Sequence, residues 1–312
     1  MKISEAIKDF LIYQEIQNNT PKTIKNYTQN LGYFVEFLGD KNIKEVSVDD
    51  INNYILYLKK KPKNKGHKYK NIDENEYISS VTLQSYIRHL RAFLSYCYKE
   101  DFIDFDLSSK VVLPKSTKKV IDILTEDEIL AIYKYCKGNR KYGTRNTLII
   151  SLMLDSGLRI NEVATIKLDN IYIKEGIIKV FGKGRKERFV PIGNKTKRLL
   201  NRYITMYRIE PDIEKYKPFL FIDNNGKPIS KNAITNVIRR IKKALKFTRL
   251  YPHLFRHTFA TRYLINGGDI TSLKMILGHT SLKIVENYLH IANQYTIQKY
   301  RKHSILDGLE GI

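Results

Sequence analysis

Four apolar stripes at helical spacing run through the first hundred residues, and this pattern constrains the fold more than any other feature of the sequence. The stripes lie at residues 3–11, 24–38, 51–58 and 83–97. The second stripe begins after Thr20 and Pro21, a pair typical of a helix N-terminus, and it ends at Gly39. Because each helix can bury its apolar face only against another element, we expect a helical bundle over residues 1–108.

A second domain is expected after a basic linker. Residues 109–120 offer few apolar side chains to bury and contain Pro114 and a lysine cluster formed by Lys115, Lys118 and Lys119. Within residues 121–312, an apolar helix ends at Gly157, and the alternation at residues 170–192 predicts a three-stranded antiparallel meander. The predicted fold class is mainly α with a small antiparallel sheet, in which a helical bundle precedes a mixed α/β domain.

The charge of the chain points to a polyanionic partner or to a solvated basic surface. Its 312 residues include 55 Lys plus Arg against 32 Asp plus Glu, a formal net charge of +23. The most basic stretch, residues 59–70, shows no periodicity, so we expect a loop there. Its lysines are either solvated or bind phosphates, and they are Lys59, Lys60, Lys61, Lys63, Lys65, Lys68 and Lys70.

Several other classes of protein are disfavoured by the sequence. The longest apolar stretch, residues 148–154, is far shorter than the roughly 20 residues of a membrane-spanning helix. Glu5 and Asp9 interrupt the region where a signal peptide needs an apolar core. Cys97 and Cys136 are the only cysteines, so neither a disulfide framework nor a thiolate zinc site is expected. We expect a protein of a reducing, cytoplasmic compartment with no membrane association.

Five short motifs in the second domain carry residues suited to phosphoryl transfer. Each motif taken alone has an ordinary structural explanation, such as an ion pair between Arg159 and Glu162. Two arginines can neutralise a phosphodiester without a metal, a lysine or histidine can protonate a leaving oxygen, and a tyrosine can act as nucleophile. The candidate catalytic residues, in chain order, are Arg159 in SGLR, Lys183 in GKGRKER, His253 and Arg256 in HLFRH, His279 in LGHTS, and Tyr288.

Neither a metal nor ATP is expected at this site. His253 and His257 are four residues apart, but Leu254 stands where the zinc-binding HExxH pattern needs glutamate. The glycines around Lys183 do not have the spacing of a P-loop. We therefore predict a reaction without cofactors.

The order and spacing of the five motifs resemble the tyrosine recombinase family of phage integrases and Xer proteins. Arg159 precedes Lys183 by 24 residues, Arg256 precedes His279 by 23, and Tyr288 follows His279 by nine. The resemblance covers essentially the whole chain, and it implies that the first domain is a SAM-like core-site-binding domain and the second a catalytic domain. We expect no further domain before the bundle, and therefore an Xer-like protein rather than a larger integrase that also binds distant arm sites.

The resemblance also implies a role for each candidate residue. Tyr288 would form a 3′-phosphotyrosyl bond with DNA, while Arg159 and Arg256 would clamp the scissile phosphate. Lys183 would protonate the 5′ oxygen, and His253 would accept the proton of the tyrosine.

The remaining residues of these motifs have simpler expected roles. His279 would hydrogen-bond the phosphate, and His257 would only pack. Arg185 and Lys186 on the hairpin would contact DNA.

The resemblance implies double-stranded DNA as partner and a homotetramer on paired sites, with or without a second recombinase. The sequence leaves open whether the segment after Tyr288 docks on a neighbouring protomer or on its own domain. It also leaves open whether the process is chromosome-dimer resolution, which serves chromosome partition, or DNA integration, inversion or plasmid resolution. Two other functions stay open: a type IB topoisomerase and a catalytically inactive DNA-binding regulator.

Overall fold

The computed structural model describes most of the chain, in two compact units. The described residues are 1–63, 73–114, 122–138, 142–182, 186–279, 281–282, 285–286, 288–289 and 292. They divide into two compact units, Met1–Lys119 and Val120–Ile312.

The first unit is built from the four helices that the sequence predicts. Thr20 accepts a hydrogen bond from the Thr23 amide at 3.2 Å, and Ser47 and Asp50 form a reciprocal capping box. The apolar stripes meet in one core, with Phe10, Phe34 and Phe93 almost fully buried. The helices are α1 (Ile3–Ile16), α2 (Pro21–Leu38), α3 (Val48–Lys59) and α4 (Ser80–Lys99).

The prediction of a loop over residues 59–70 is wrong in part, because a short β-strand lies inside this range. Strand β1 (Pro62–Lys63) pairs antiparallel with β2 (Asp73–Tyr77). Lys61, which we expected to be exposed, is only 4% exposed, and its ammonium group lies 3.0 Å from the centroid of the Tyr33 ring. A cation over an aromatic face is attracted by the ring quadrupole, which compensates part of the cost of burying the charge.

The core of the first unit continues past residue 108. A 3₁₀ turn spans Leu107–Lys110, and Val111, within the predicted linker, is buried against the bundle. Leu113 also packs against this core. The apolar residues at the start of the basic segment therefore belong to the first unit.

The second unit combines seven helices in its described part with the predicted three-stranded meander. Its strands are β3 (Ile171–Tyr172), β4 (Ile177–Phe181) and β5 (Glu187–Pro191), which pair antiparallel in chain order. The helices are α5 (Glu126–Gly138), α6 (Gly143–Asp155), α7 (Ile160–Ala164), α8 (Asn194–Arg202), α9 (Lys231–Ala244), α10 (Pro252–Ile265) and α11 (Ile270–Leu277).

Helix α6 is the centre of the second unit, and it determines where the following turn can lie. Residues 146–153 are all buried, and α10 and α5 pack against this helix. The chain then turns at Gly157, whose φ is +61°, as the sequence predicts. A Cβ atom at this position would lie 2.4 Å from Cδ1 of Phe259, so both the backbone angle and the space require glycine.

The described residues lack both a membrane-spanning helix and a cluster of metal ligands. None of the helices in the described ranges has the length and apolar composition needed to cross a membrane. Among the same residues, no three or more His, Cys, Asp or Glu side chains are grouped to hold a metal ion.

Replacing Gly157 with alanine should destabilise the second unit more than the same change at Gly226. Both glycines have positive φ, but nothing lies within 4 Å of a Cβ built at Gly226. Each variant should lose about 1 kcal/mol from the left-handed backbone. Gly157→Ala should lose roughly 1–3 kcal/mol more, because Phe259 must move. Urea unfolding of the two variants measures this difference, and equal losses would show that the close approach of Phe259 is unimportant.

Candidate active site

The guanidinium group of Arg256 holds two segments of the candidate site together. It projects from α10, is only 3% exposed, and donates hydrogen bonds to the carbonyl oxygens of Gly157 and Leu277, both at 2.6 Å. Gly157 precedes Arg159 by two residues, and Leu277 precedes His279 by two. The side chain of Arg256 therefore holds both the backbone before Arg159 and the backbone before His279.

Arg159 is fixed by a second cluster of charges. Its Nη1 atom lies 2.9 Å from Oε1 of Glu162, so the ion pair considered from the sequence is present. Arg188 on β5 binds both carboxylate oxygens of Glu162 at 2.8 Å, and its Nε donates to the Ile276 carbonyl at 2.7 Å. Burial opposes ionisation of Glu162, but the two arginines outweigh it and lower the pKa of this carboxyl group.

Arg188 is a part of the site that the sequence analysis missed. In β5 it alternates with exposed neighbours and lies on the same side of the strand as buried Val190. A charged residue on the inward face of a predicted strand was the signal that could have revealed it, because such a charge needs a partner.

His279 presents a buried donor next to Arg256. Its Nε2 lies 2.9 Å from Nη2 of Arg256. Arginine can only donate, so Nε2 accepts, and Nδ1 of the neutral ring carries the hydrogen. Burial, together with Arg256 and Arg159, lowers the pKa of His279 to about 4, which keeps the ring neutral. Nδ1 is buried and has no hydrogen-bond partner among the residues that the structure describes.

Gly278 allows the close approach of this histidine to the arginine cluster. It ends α11 with φ +64°, and a Cβ atom there would lie 2.9 Å from Cδ of Arg188. Only glycine combines that backbone angle with that space, so the turn before His279 depends on it.

Tyr288 lies against the same cluster within the same chain. It is 4% exposed and packs with Leu273, Leu277 and Val285. Burial raises the pKa of its hydroxyl group, while the charges of Arg256 and Arg159 act in the opposite direction. The phenol therefore keeps its proton at neutral pH, although two positive charges lie close enough to influence it.

The two histidines of α10 occupy different places. His257, for which the sequence predicted packing alone, has its Nδ1 atom 3.0 Å from the hydroxyl oxygen of Tyr288. His253 is exposed, and partial desolvation followed by the charges of Arg256, Arg159 and Lys231 lowers its pKa. Lys231, at the start of α9, is a second charged residue near the site that the sequence analysis did not single out.

Five of the six candidate catalytic residues meet in this region of the second unit. They are Arg159, His253, Arg256, His279 and Tyr288. Lys183 lies outside the described residues. The ends of its hairpin are described, and the Gly182 amide donates to the Lys186 carbonyl at 2.8 Å.

The candidate DNA-binding residues are only partly described. Lys59, Lys60, Lys63 and Lys186 are exposed, and Lys63 pairs with Glu76. Lys61 is the correction to this set, because its side chain is buried over Tyr33. The others lie outside the described residues: Lys65, Lys68, Lys70, Lys115, Lys118, Lys119 and Arg185.

This arrangement can bind an anion and attack it. Arg159 and Arg188 bind a single carboxylate, that of Glu162, and Arg256 lies close enough for this charge to act on it, so three arginines and one carboxylate leave two positive charges in the described cluster. Burial, followed by the charge of Arg159, lowers the pKa of Arg256 to about 9, while the charge of Glu162 acts in the opposite direction. The hydroxyl group of Tyr288 lies close enough to Arg256 and Arg159 for their charges to act on it.

Comparison with known proteins gives a consistent assignment for both units. Residues 122–295 match the phage integrase family, and residues 5–111 match the phage integrase SAM-like domain. The tyrosine recombinase XerC of Staphylococcus carnosus is 29% identical over 304 residues, covering 96% of each chain. XerD of Staphylococcus aureus is 28% identical over 299 residues, covering 95% of this chain and 97% of its own length.

Solved structures share the fold. The integrase of transposon Tn1549, in complex with a circular intermediate DNA, superposes with a TM-score of 0.74 at 19% identity and covers 92% of this chain and 95% of its own. The XerH recombinase bound to a palindromic substrate gives a TM-score of 0.69 at 20% identity, and the match covers 93% of this chain and 82% of the XerH chain. Since the match to the phage integrase family spans more than half of the sequence, the chain belongs to this family, the tyrosine recombinases.

Proposed function

We propose that the protein is a site-specific DNA recombinase that cuts and rejoins duplex DNA through a 3′-phosphotyrosyl intermediate on Tyr288. The observation that carries this proposal is the buried Arg256, which lies among carbonyl oxygens and a neutral histidine. A buried guanidinium that donates to no carboxylate among the described residues is stabilised by an incoming phosphate, and the hydroxyl group of Tyr288 lies close enough for its charge to act on it.

The residues of the site divide the work of strand cleavage. Arg256 and Arg159 neutralise the non-bridging oxygens of the phosphodiester, and the free Nδ1–H of His279 donates a third hydrogen bond. Tyr288 attacks phosphorus and displaces the 5′ oxygen, which takes its proton from Lys183. The phosphotyrosyl ester keeps the energy of the broken bond, so rejoining needs no ATP.

The substrate is double-stranded DNA, in keeping with the solved Tn1549 integrase, which is in complex with a circular intermediate DNA. The excess of lysine and arginine supplies phosphate contacts, and the exposed residues Lys59, Lys60, Lys63 and Lys186 are candidates for them. A cytoplasmic location follows from a substrate that is chromosomal or plasmid DNA.

We assign the active form to a homotetramer on two paired sites, in which the segment after residue 293 docks on the neighbouring protomer. A groove of about 1250 Å³ between α5, α6, α8 and α10 could receive it. Leu130, Leu154 and Phe259 supply apolar surface, while lysines and arginines lie around it. The apolar surface is matched by an apolar set in the segment, and its charged residues are of both signs, with Asp307 and Glu310 beside Lys299, Arg301 and Lys302. The apolar set is Tyr295, Ile297, Tyr300, Ile305, Leu306 and Leu309.

Tyr288→Phe should abolish covalent trapping of DNA and leave DNA affinity unchanged. The hydroxyl oxygen is the proposed nucleophile, and phenylalanine keeps the packing of the ring. The assay uses a duplex nicked next to the cleavage position, which prevents religation. A wild-type protein that binds this duplex without trapping it would favour the DNA-binding regulator. Relaxation of a plasmid without a defined site, with no recombination between two sites, would favour the topoisomerase.

Arg159→Lys should reduce the cleavage rate by roughly 10² or more while DNA binding holds. Lysine keeps the charge but loses the planar fork that contacts both Glu162 and a phosphate. The matched control is Arg239→Lys, because Arg239 is exposed on α9. Single-turnover cleavage measures both variants, and a near-normal rate for Arg159→Lys would remove this arginine from the reaction.

Truncation after residue 293 should abolish cooperative binding to a two-site DNA while binding to a single site continues. Leu130→Asp should have the same effect on the acceptor side, because Leu130 lines the groove and is 67% exposed. Cooperativity is measured by band shift at increasing protein concentration. If it is unchanged in both variants, the segment folds back on its own domain.

A further inference from the structure

The hydroxyl group of Tyr288 is in contact with a histidine that has no role in the scheme above. Nδ1 of His257 lies 3.0 Å from the phenolic oxygen, and the ring centroids are 5.6 Å apart. In the part of the chain that the structure describes, no hydrogen bond joins His253 to Tyr288. His253 lies one helical turn before His257, with 6.3 Å between the ring centroids.

The surroundings of His257 keep its ring neutral and able to accept a proton. Burial, followed by the charges of His253 and Arg256, lowers the pKa of His257 to about 4. His279 also lies close enough for its pKa to be influenced by His257. With the hydrogen on Nε2, the neutral ring offers the lone pair of Nδ1 to the phenol.

Tyr288 needs such an acceptor, since its buried hydroxyl group is protonated at neutral pH. A phosphodiester entering the site would bring a negative charge next to Arg256 and Arg159. This charge would offset the two guanidinium groups and make His257 more basic at the moment of attack.

We infer that His257 is a catalytic residue that accepts the proton of Tyr288 during strand cleavage, in the place that the resemblance gave to His253. This assignment rests on the proposed function. The O–H bond of Tyr288 breaks and its proton passes to Nδ1 of His257. The phenolic oxygen bonds to phosphorus, the bond from phosphorus to the 5′ oxygen breaks, and that oxygen takes a proton from Lys183. Rejoining reverses these steps, and His257 returns the proton.

The experiment compares single-turnover cleavage of the nicked duplex by the full-length wild type, His257→Phe and His253→Phe over about two to three pH units around neutrality. His257→Phe should lower the rate at neutral pH by about 10² to 10⁴. The difference in rate between this variant and the wild type should shrink about tenfold for each unit by which the pH is raised. Without the histidine only the ionised phenol of Tyr288 reacts, and its fraction grows tenfold per pH unit. His253→Phe should not acquire this pH dependence. DNA affinity checks the folding of each variant, and His257→Asn provides a second, smaller replacement.

Three results would overturn the assignment. The first is a wild-type cleavage rate in both His257→Phe and His257→Asn. The second is a loss of rate in His257→Phe that is the same at every pH. The third is a tenfold change of rate per pH unit in His253→Phe instead of in His257→Phe. A constant deficit would mean that His257 only supports the structure. If the wild-type protein forms no covalent complex at all, the proposed function fails, and that outcome is distinct from these three.

Discussion

The burial of one guanidinium group, that of Arg256, is the interaction on which the rest of the site depends. Its hydrogen bonds to the Gly157 and Leu277 carbonyls connect the turn after α6 to the end of α11. A buried cation is costly unless its donors are satisfied, and here carbonyl oxygens and the ring of His279 satisfy part of them. The charge itself remains available for a phosphate.

The second constraint is the carboxylate of Glu162, which controls where Arg159 can point. Arg188 binds this carboxylate through both oxygens from β5, so the sheet and α7 are joined behind the site. Without Arg188, Glu162 would pair with Arg159 alone and would neutralise it more completely. The three arginines and one carboxylate thus give a hydrogen-bonded cluster with excess positive charge, which suits transition-state stabilisation of phosphoryl transfer.

Much of this protein could be predicted from its sequence, because helical periodicity and helix caps are local signals. The four helices of the bundle, the meander and the turn at Gly157 follow from such signals. The burial of Lys61 could not be predicted, since it depends on the ring of Tyr33, which lies on α2 and is distant in sequence. The hairpin β1–β2 was missed because DENEY contains no apolar alternation.

In the candidate site, too, some features follow from local sequence signals and others depend on contacts between distant residues. Motif order placed Arg159, Arg256, His279 and Tyr288 in one reaction, but spacing along the chain could not show which histidine lies against the tyrosine. His253 and His257 lie four apart on α10, and only the packing of Tyr288 distinguishes them. Whether Lys183 joins the site stays a prediction.

The central claim is that one tyrosine becomes esterified to DNA in a pocket of arginines. Mass spectrometry of peptides from the trapped complex tests it most directly, because it identifies the modified residue among the 22 tyrosines of the chain. We expect a nucleotide attached through its 3′ phosphate to Tyr288 alone. A linkage at another residue, or through a 5′ phosphate, would contradict it.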